Sequence, residues 1–153
     1  SKNYNYLNHL GIEPLSKDFS PKYLESILID RRSVIKNLLL NQKLIAGLGN
    51  IYTCECLYES RISPFMIADS LKKEEIFNLC KNIKKILKIA IDSKGSSIND
   101  FKSPLGILGK FQNKFKVYNR EGKICKNKFC KEKITRVHIN GRSTYYCKSC
   151  QKI

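Results

Sequence analysis

Four cysteines, Cys125, Cys130, Cys147 and Cys150, have the spacing of metal ligands. Four residues separate the first pair, two separate the second, and sixteen lie between the pairs. Two close pairs at that distance can fold over a hairpin and close a tetrahedral Cys₄ zinc site. Zinc with four thiolates has no open coordination position, so it stabilises the fold and performs no reaction. The first pair is wider than the commonest two-residue knuckle but within the usual range.

Other residues that could carry chemistry give weaker signals. Arg142 follows the Asn140-Gly141 dipeptide, a strong short-range hairpin signal, so the turn places it at a hairpin tip. A guanidinium on a rigid protrusion can enter a groove and bridge phosphates; the plain alternative is an ordinary exposed arginine. The Gly47-Leu48-Gly49-Asn50 turn leads into a helix, whose free N–H groups and dipole favour phosphate, and Lys43 precedes it by one turn. A tight turn with Asn50 as a cap is the simpler reading. His9 and His138 have no partner pattern, and Glu55 and Glu59, at i and i+4, read as solvated or capping carboxylates.

The elements that must position these groups are mostly helical. Ser20-Pro21 reads as N-cap and N1 of a helix burying Leu24, Ile27 and Leu28. Ser33 is expected to cap a second short helix with Val34, Ile35, Leu38 and Leu39 inward. A third is expected from Ile51 to about Ser60. A fourth should run from about Leu71 to Lys94, with Ile76, Leu79, Cys80, Ile83, Leu87, Ala90 and Ile91 as its apolar stripe and Gly95 as its stop. Lys114 to Tyr118 alternates like a short strand, Asn119 to Gly122 looks like a turn, and Ile134–Ile139 with Arg142–Tyr146 reads as two strands. The fold class expected is mainly α: a helical bundle, residues 20–112, followed by a small cysteine-clamped β-hairpin module, residues 113–153. Residues 1–19 read as an interdomain linker, and the chain is expected to begin downstream of a further domain.

Charge narrows the partner. The 153 residues hold 29 Lys+Arg against 13 Asp+Glu, a formal net charge of +16. Residues 1–100 carry 15 basic and 11 acidic side chains, whereas residues 101–153 carry 14 basic and 2 acidic. One sign concentrated in a third of the chain is the footprint of a polyanion-binding surface. The cysteine count, seven, is odd; Cys54, Cys56 and Cys80 sit in apolar helical patterns as reduced core residues, which fits a reducing cytoplasm. No apolar run approaches the roughly 18–20 residues of a membrane span.

In combination these motifs become recognisable. Leu10-Gly11-Ile12-Glu13-Pro14-Leu15, Ala46-Gly47-Leu48-Gly49-Asn50-Ile51-Tyr52, Val117-Tyr118, Gly141-Arg142 and the closing Tyr146-Cys147-Lys148-Ser149-Cys150-Gln151-Lys152 occur in that order across nearly the whole chain. The chain resembles the C-terminal part of bacterial formamidopyrimidine-DNA glycosylase, the Fpg or MutM family. The endonuclease VIII group shares the architecture, but Asn50-Ile51-Tyr52 and Glu13-Pro14-Leu15 favour Fpg.

The resemblance implies a helix–two-turn–helix bundle followed by a zinc-ribbon finger with one structural Zn²⁺, both gripping duplex DNA that carries oxidised or abasic sites. It implies that Asn50 and Arg142 hold the phosphates flanking the lesion, and that Lys43, Arg136, Tyr118, Gly47 and Gly49 lie at the DNA. Residues 96–112, with Gly106, Gly109 and Phe111, resemble the loop that closes over the flipped base, though Leu108 and Lys110 stand where proline and an aromatic are common. The first zinc pair carries two extra residues. The family's reaction is removal of oxidised purines by base flipping and Schiff-base chemistry, followed by strand cleavage at the abasic site. Its nucleophile is the first residue, a proline, of an N-terminal β-sandwich domain, which this chain does not contain. The expectation is therefore a monomeric, nucleoid-associated bacterial repair protein of which these residues supply the grip and are inactive alone. Two other classes remain: a non-enzymatic zinc-ribbon adaptor binding nucleic acid or protein, and a purely structural domain with incidental basicity.

Overall fold

A computed structural model describes residues 10–96 and 115–153, with the backbone alone for 93–96. Four helices come first: α1 (Pro21–Leu28), α2 (Ile35–Leu39), α3 (Asn50–Glu59) and α4 (Lys73–Ser96), with a 3₁₀ turn over Ala68–Ser70. Two strands follow, β1 (Thr135–Ile139) and β2 (Arg142–Tyr146). None of the described helices is long and apolar enough to cross a membrane.

Local chemistry sets the helix ends. The Ser20 hydroxyl accepts the Tyr23 N–H at 3.1 Å, and Pro21 occupies N1, where a missing N–H does no harm. At the start of α4 the Glu75 carboxylate reaches back to the Lys72 N–H at 2.9 Å, half of a capping box. Two expected caps differ. Val34, not Ser33, is the N-cap of α2, held by the Ile35 N–H donating to the Met66 carbonyl at 2.6 Å. Asn50 is the first residue of α3 rather than its cap, a position taken by Gly49. The α4 helix also passes through Gly95 to Ser96, so the glycine does not stop it.

The apolar core lies among the four helices and includes Phe19, Leu24, Leu28, Ile35, Leu39, Leu57, Leu79 and Ile83. The stripe expected on α4 is buried except for Ile91, which is exposed. Residues 10–19 are more built in than a linker: Ile12 bridges to Ile45, Gly11 donates its N–H to Gln42, and Phe19 is buried.

The α3 helix belongs to both halves of the molecule. Every residue from Thr53 to Tyr58 is buried. Cys56 and Leu57 face the bundle core, while Cys54 and Tyr58 join a second cluster with Val117, Ile134, Tyr145 and the cysteines Cys125 and Cys147. The buried residues of α3 include Thr53 and Glu55 as well as apolar side chains, so it is an interior helix with polar groups that need partners. Burial pushes the thiols of Cys54, Cys56 and Cys80 up from the usual value, which keeps these three protonated and unreactive.

The strands pair antiparallel with Ile139 opposite Arg142. Asn140 and Gly141 both have positive φ, 50° and 74°, which makes the two-residue turn of the hairpin. The strand expected over Lys114–Tyr118 is not formed by the described residues 115–118, because their N–H groups go elsewhere. Glu55 accepts from Lys116 at 2.7 Å through one oxygen, and from Val117 at 3.0 Å and Tyr118 at 2.9 Å through the other. Glu55 is thus a buried clamp rather than a solvated carboxylate. Asn119 and Gly122, with positive φ, form the expected turn.

Candidate nucleic-acid interface and metal centre

The glycine-rich turn before α3 is tied down by a side chain absent from the sequence expectations. Gln42 accepts the Gly47 N–H at 2.7 Å and donates to the Leu48 carbonyl at 3.1 Å. Gly47 has φ of 89°, a conformation glycine adopts without strain. Gly47 and Gly49 are exposed, so the backbone at the helix start is open to a ligand. An open cleft of about 540 Å³ lies alongside, lined by Glu13, Leu15, Gln42, Gly47, Tyr52 and Ile91 among others.

Asn50 connects this helix start to the hairpin. Its Nδ2 donates to the Ser143 carbonyl at 3.0 Å, across 93 residues, and its Oδ1 accepts from Lys36 Nζ at 2.6 Å. The amide orientation is set by both partners at once. Lys36 is fully buried, and burial pushes its ammonium below the usual lysine value; nearby Cys54 opposes that shift and the positive charge of Arg142 adds to it. Lys36, the start of α3 and the hairpin tip therefore meet at Asn50.

Arg142 is exposed beside Ser143. Arg136, also exposed, donates from Nη2 and Nε to the Ser143 hydroxyl at 2.9 and 3.2 Å. Lys43 is exposed, with its backbone N–H accepted by Asn41 Oδ1 at 3.0 Å. Tyr118 is placed differently from these. Its ring packs edge-on between Phe115 and Tyr145, with centroids 5.7 and 5.1 Å away, at the junction of bundle and hairpin. His138 is exposed; His9 and the loop over 96–112 lie outside the described residues, apart from the last residue of α4.

The four cysteine sulfurs lie within 4.8 Å of one another at the hairpin base. Cys125 and Cys150 sulfurs are 3.8 Å apart and those of Cys130 and Cys147 are 3.7 Å apart. A tetrahedron with metal–sulfur bonds of about 2.3 Å has edges of about 3.8 Å, so this donor set fits a thiolate-bound zinc-sized ion. Burial pushes the Cys147 thiol up to about 12. Burial also acts against ionising Cys150, but the hydrogen bond from Asn127 and the neighbouring thiols pull it down to about 7.

The cysteine module is fastened to the end of α3 remote from Asn50. The Tyr58 hydroxyl lies 2.9 Å from Cys125 Sγ, and Gln151 donates to the Ile62 carbonyl at 2.9 Å while accepting the Cys147 N–H at 2.8 Å. Lys36, Gln42 and Tyr58 escape sequence reasoning, and the partners of Glu55 and Gln151 do as well. Their partners are set by tertiary packing, and only Gln151, inside the Cys-x-x-Cys-Gln-Lys stretch, lies within a motif.

Fold and site together define a helical domain with a basic β-hairpin, carrying a four-cysteine cluster at its base, laid along one of its helices. Residues 10–102 match the family model for the formamidopyrimidine-DNA glycosylase H2TH domain. The chain belongs to the formamidopyrimidine-DNA glycosylase family. It is 44% identical over 149 residues to the formamidopyrimidine-DNA glycosylase of Zymomonas mobilis, covering 97% of this chain and 54% of that protein. It is 46% identical over 143 residues to that of Phenylobacterium zucineum, covering 94% of this chain and 50% of that protein. Among solved structures, Lactococcus lactis Fpg in complex with DNA containing an abasic site superposes with a TM-score of 0.85 at 35% identity, covering 99% of this chain and 55% of that one. MutM in complex with DNA containing carbocyclic 8-oxo-G gives a TM-score of 0.85 at 36% identity, over 99% and 54%. The chain spans about half the length of the relatives it matches.

Proposed function

We propose that these residues form the DNA-gripping half of a bifunctional base-excision-repair enzyme, a DNA glycosylase and AP lyase acting on oxidised purines. One observation carries the reading: the hydrogen bond from Asn50 to the Ser143 carbonyl. It brings a helix N-terminus with exposed glycines against a hairpin that carries Arg142 at its tip and, on β1, Arg136, whose guanidinium reaches the Ser143 hydroxyl. Backbone N–H groups, an amide and two guanidinium groups converging on one place suit two neighbouring phosphates of a DNA strand.

In this reading Asn50 and Arg142 hold the phosphates flanking the lesion, and Lys43 and Arg136 extend the contact along the backbone. Gly47 and Gly49 let the strand approach, and Tyr118 supports the hairpin from within. Residues 20–112 form a helix–two-turn–helix domain and residues 113–153 a zinc finger; the stretch 96–112 caps the flipped base. Cys125, Cys130, Cys147 and Cys150 hold one structural Zn²⁺ that keeps the hairpin rigid. The group that attacks the sugar lies outside these 153 residues, so this chain by itself binds damaged duplex as a monomer and cleaves nothing. The similarity to MutM and Fpg structures in complex with carbocyclic 8-oxo-G and abasic-site DNA supports the DNA-binding part of this reading.

The test is binding to a duplex with a tetrahydrofuran abasic site beside the same duplex undamaged, titrated with salt, for the native chain and Arg142→Ala. The expected result is preference for the abasic duplex, steep weakening with salt, and loss of the preference in the variant. Failure to bind either duplex would favour an adaptor role. Cleavage of an 8-oxoguanine duplex by this chain would refute its inactivity.

A further inference from the structure

Polar groups reach the cysteine sulfurs from two directions. One is local: Asn127, between Cys125 and Cys130, donates Nδ2 to Cys150 Sγ at 3.3 Å. The other comes from the helical bundle, where the Tyr58 hydroxyl on the last turn of α3 lies 2.9 Å from Cys125 Sγ. Tyr58 is 7% exposed and Cys125 is 4% exposed, so water competes little for this contact. A cysteine bound to a metal is a thiolate without a proton, so the hydroxyl is then the donor.

We propose that Tyr58 is a positioning residue of the metal centre, donating its hydroxyl hydrogen to the Cys125 thiolate and coupling that ligand to the helix that begins at Asn50. This rests on the metal reading above and goes beyond the four ligands. A hydrogen bond to a metal-bound thiolate withdraws electron density from sulfur and fixes the direction of its lone pairs. In a buried site it also compensates part of the charge that four thiolates leave after a divalent ion binds. The ring alone would fill the same space, so the hydroxyl is the part that acts.

The experiment is a titration of the reduced chain with Co²⁺, read by its thiolate-to-cobalt charge-transfer absorption, followed by competition with Zn²⁺ and a chelator. Tyr58→Phe keeps the ring and removes the hydroxyl. Tyr145→Phe is the control: it removes a hydroxyl from the same cluster, one that donates to Asn119 Oδ1 at 3.1 Å rather than to sulfur. The expected result is a shifted charge-transfer band and about tenfold weaker metal binding for Tyr58→Phe, with neither change for Tyr145→Phe. An unshifted band and native affinity in Tyr58→Phe would overturn the proposal, as would equal losses in both variants. If the native chain bound no cobalt or zinc, the metal reading itself would fall, and the proposal with it.

Discussion

The helical bundle and the cysteine hairpin cohere by different means. The bundle is held by a continuous apolar core from Phe19 to Leu87, most of it fully buried. Among the described residues the hairpin's interior is Val117, Ile134, Tyr145 and cysteine side chains, and four of the seven buried members of that cluster are supplied by α3 or are cysteines of the hairpin module. A module this small buries too little to stand alone, so it depends on directed polar ties and, in the proposed reading, on metal ligation by the cysteines. Among the described residues the ties that reach the bundle include Glu55 to residues 116–118, Glu59 to the Lys116 ammonium, Asn50 to Ser143, Tyr58 to Cys125 and Gln151 to Ile62. A nonspecific core tolerates small shifts of its parts. Directed ties do not, and the half proposed to hold phosphates is the half that uses them.

Removing the metal should separate the two regions most sharply. Structural zinc contributes about 10–16 kcal/mol of apparent binding energy in small metal-folded peptides. A strong chelator, or Cys147→Ser, is expected to melt the hairpin while the helical circular-dichroism signal persists, with DNA binding lost. Loss of the helical signal as well would mean the bundle depends on its appendage. The converse break is Leu79→Ala at a fully buried position of α4. It should cost about 2–5 kcal/mol in denaturant unfolding of the helices, and the cysteines should still take up one cobalt per chain when folded.

A variant at the joint sharpens the contrast. Glu55→Gln keeps the shape but turns one acceptor oxygen into an N–H₂ donor facing backbone N–H groups. The expected destabilisation is about 2–3 kcal/mol, accompanied by faster amide hydrogen exchange at Lys116, Val117 and Tyr118. Unchanged exchange at those three would mean the clamp contributes nothing. The smallest expected effect on stability is at the tip: Arg142→Ala, exposed, should change unfolding by no more than about 0.5 kcal/mol. Its DNA affinity should nevertheless fall, with a shallower salt dependence, separating a binding residue from a structural one.

What could be read in the sequence follows the reach of each interaction. The Ser20-Pro21 start, the apolar period of α4, the Asn140-Gly141 turn and the gathering of the four cysteines are local or motif-encoded, and they form as expected. Glu55 resembled a surface carboxylate because its partners lie 61 to 63 residues away. For the same reason the alternation at 115–118 suggested a strand: its N–H groups serve that carboxylate instead. Lys36 gave no sign of burial, since a lysine within an apolar run normally turns outward. Asn50 reads as the cap of α3 but is its first residue, because its side chain bonds Ser143 and Lys36 instead, which depends on how the hairpin lies. Tertiary packing decided each of these cases.

Asn50 and Tyr58 are eight residues apart on α3, and each grips the hairpin module, one near its tip and one at its base. A rise of about 1.5 Å per residue makes α3 a gauge block of about 12 Å between them. Adding or deleting one residue inside it would rotate one grip by about 100° relative to the other, so no rigid hairpin could satisfy both. The helix therefore has a phase as well as a length. Substitutions along it can be absorbed by repacking, but a single-residue insertion would put the arginine tip and the thiolate base out of register with the same scaffold.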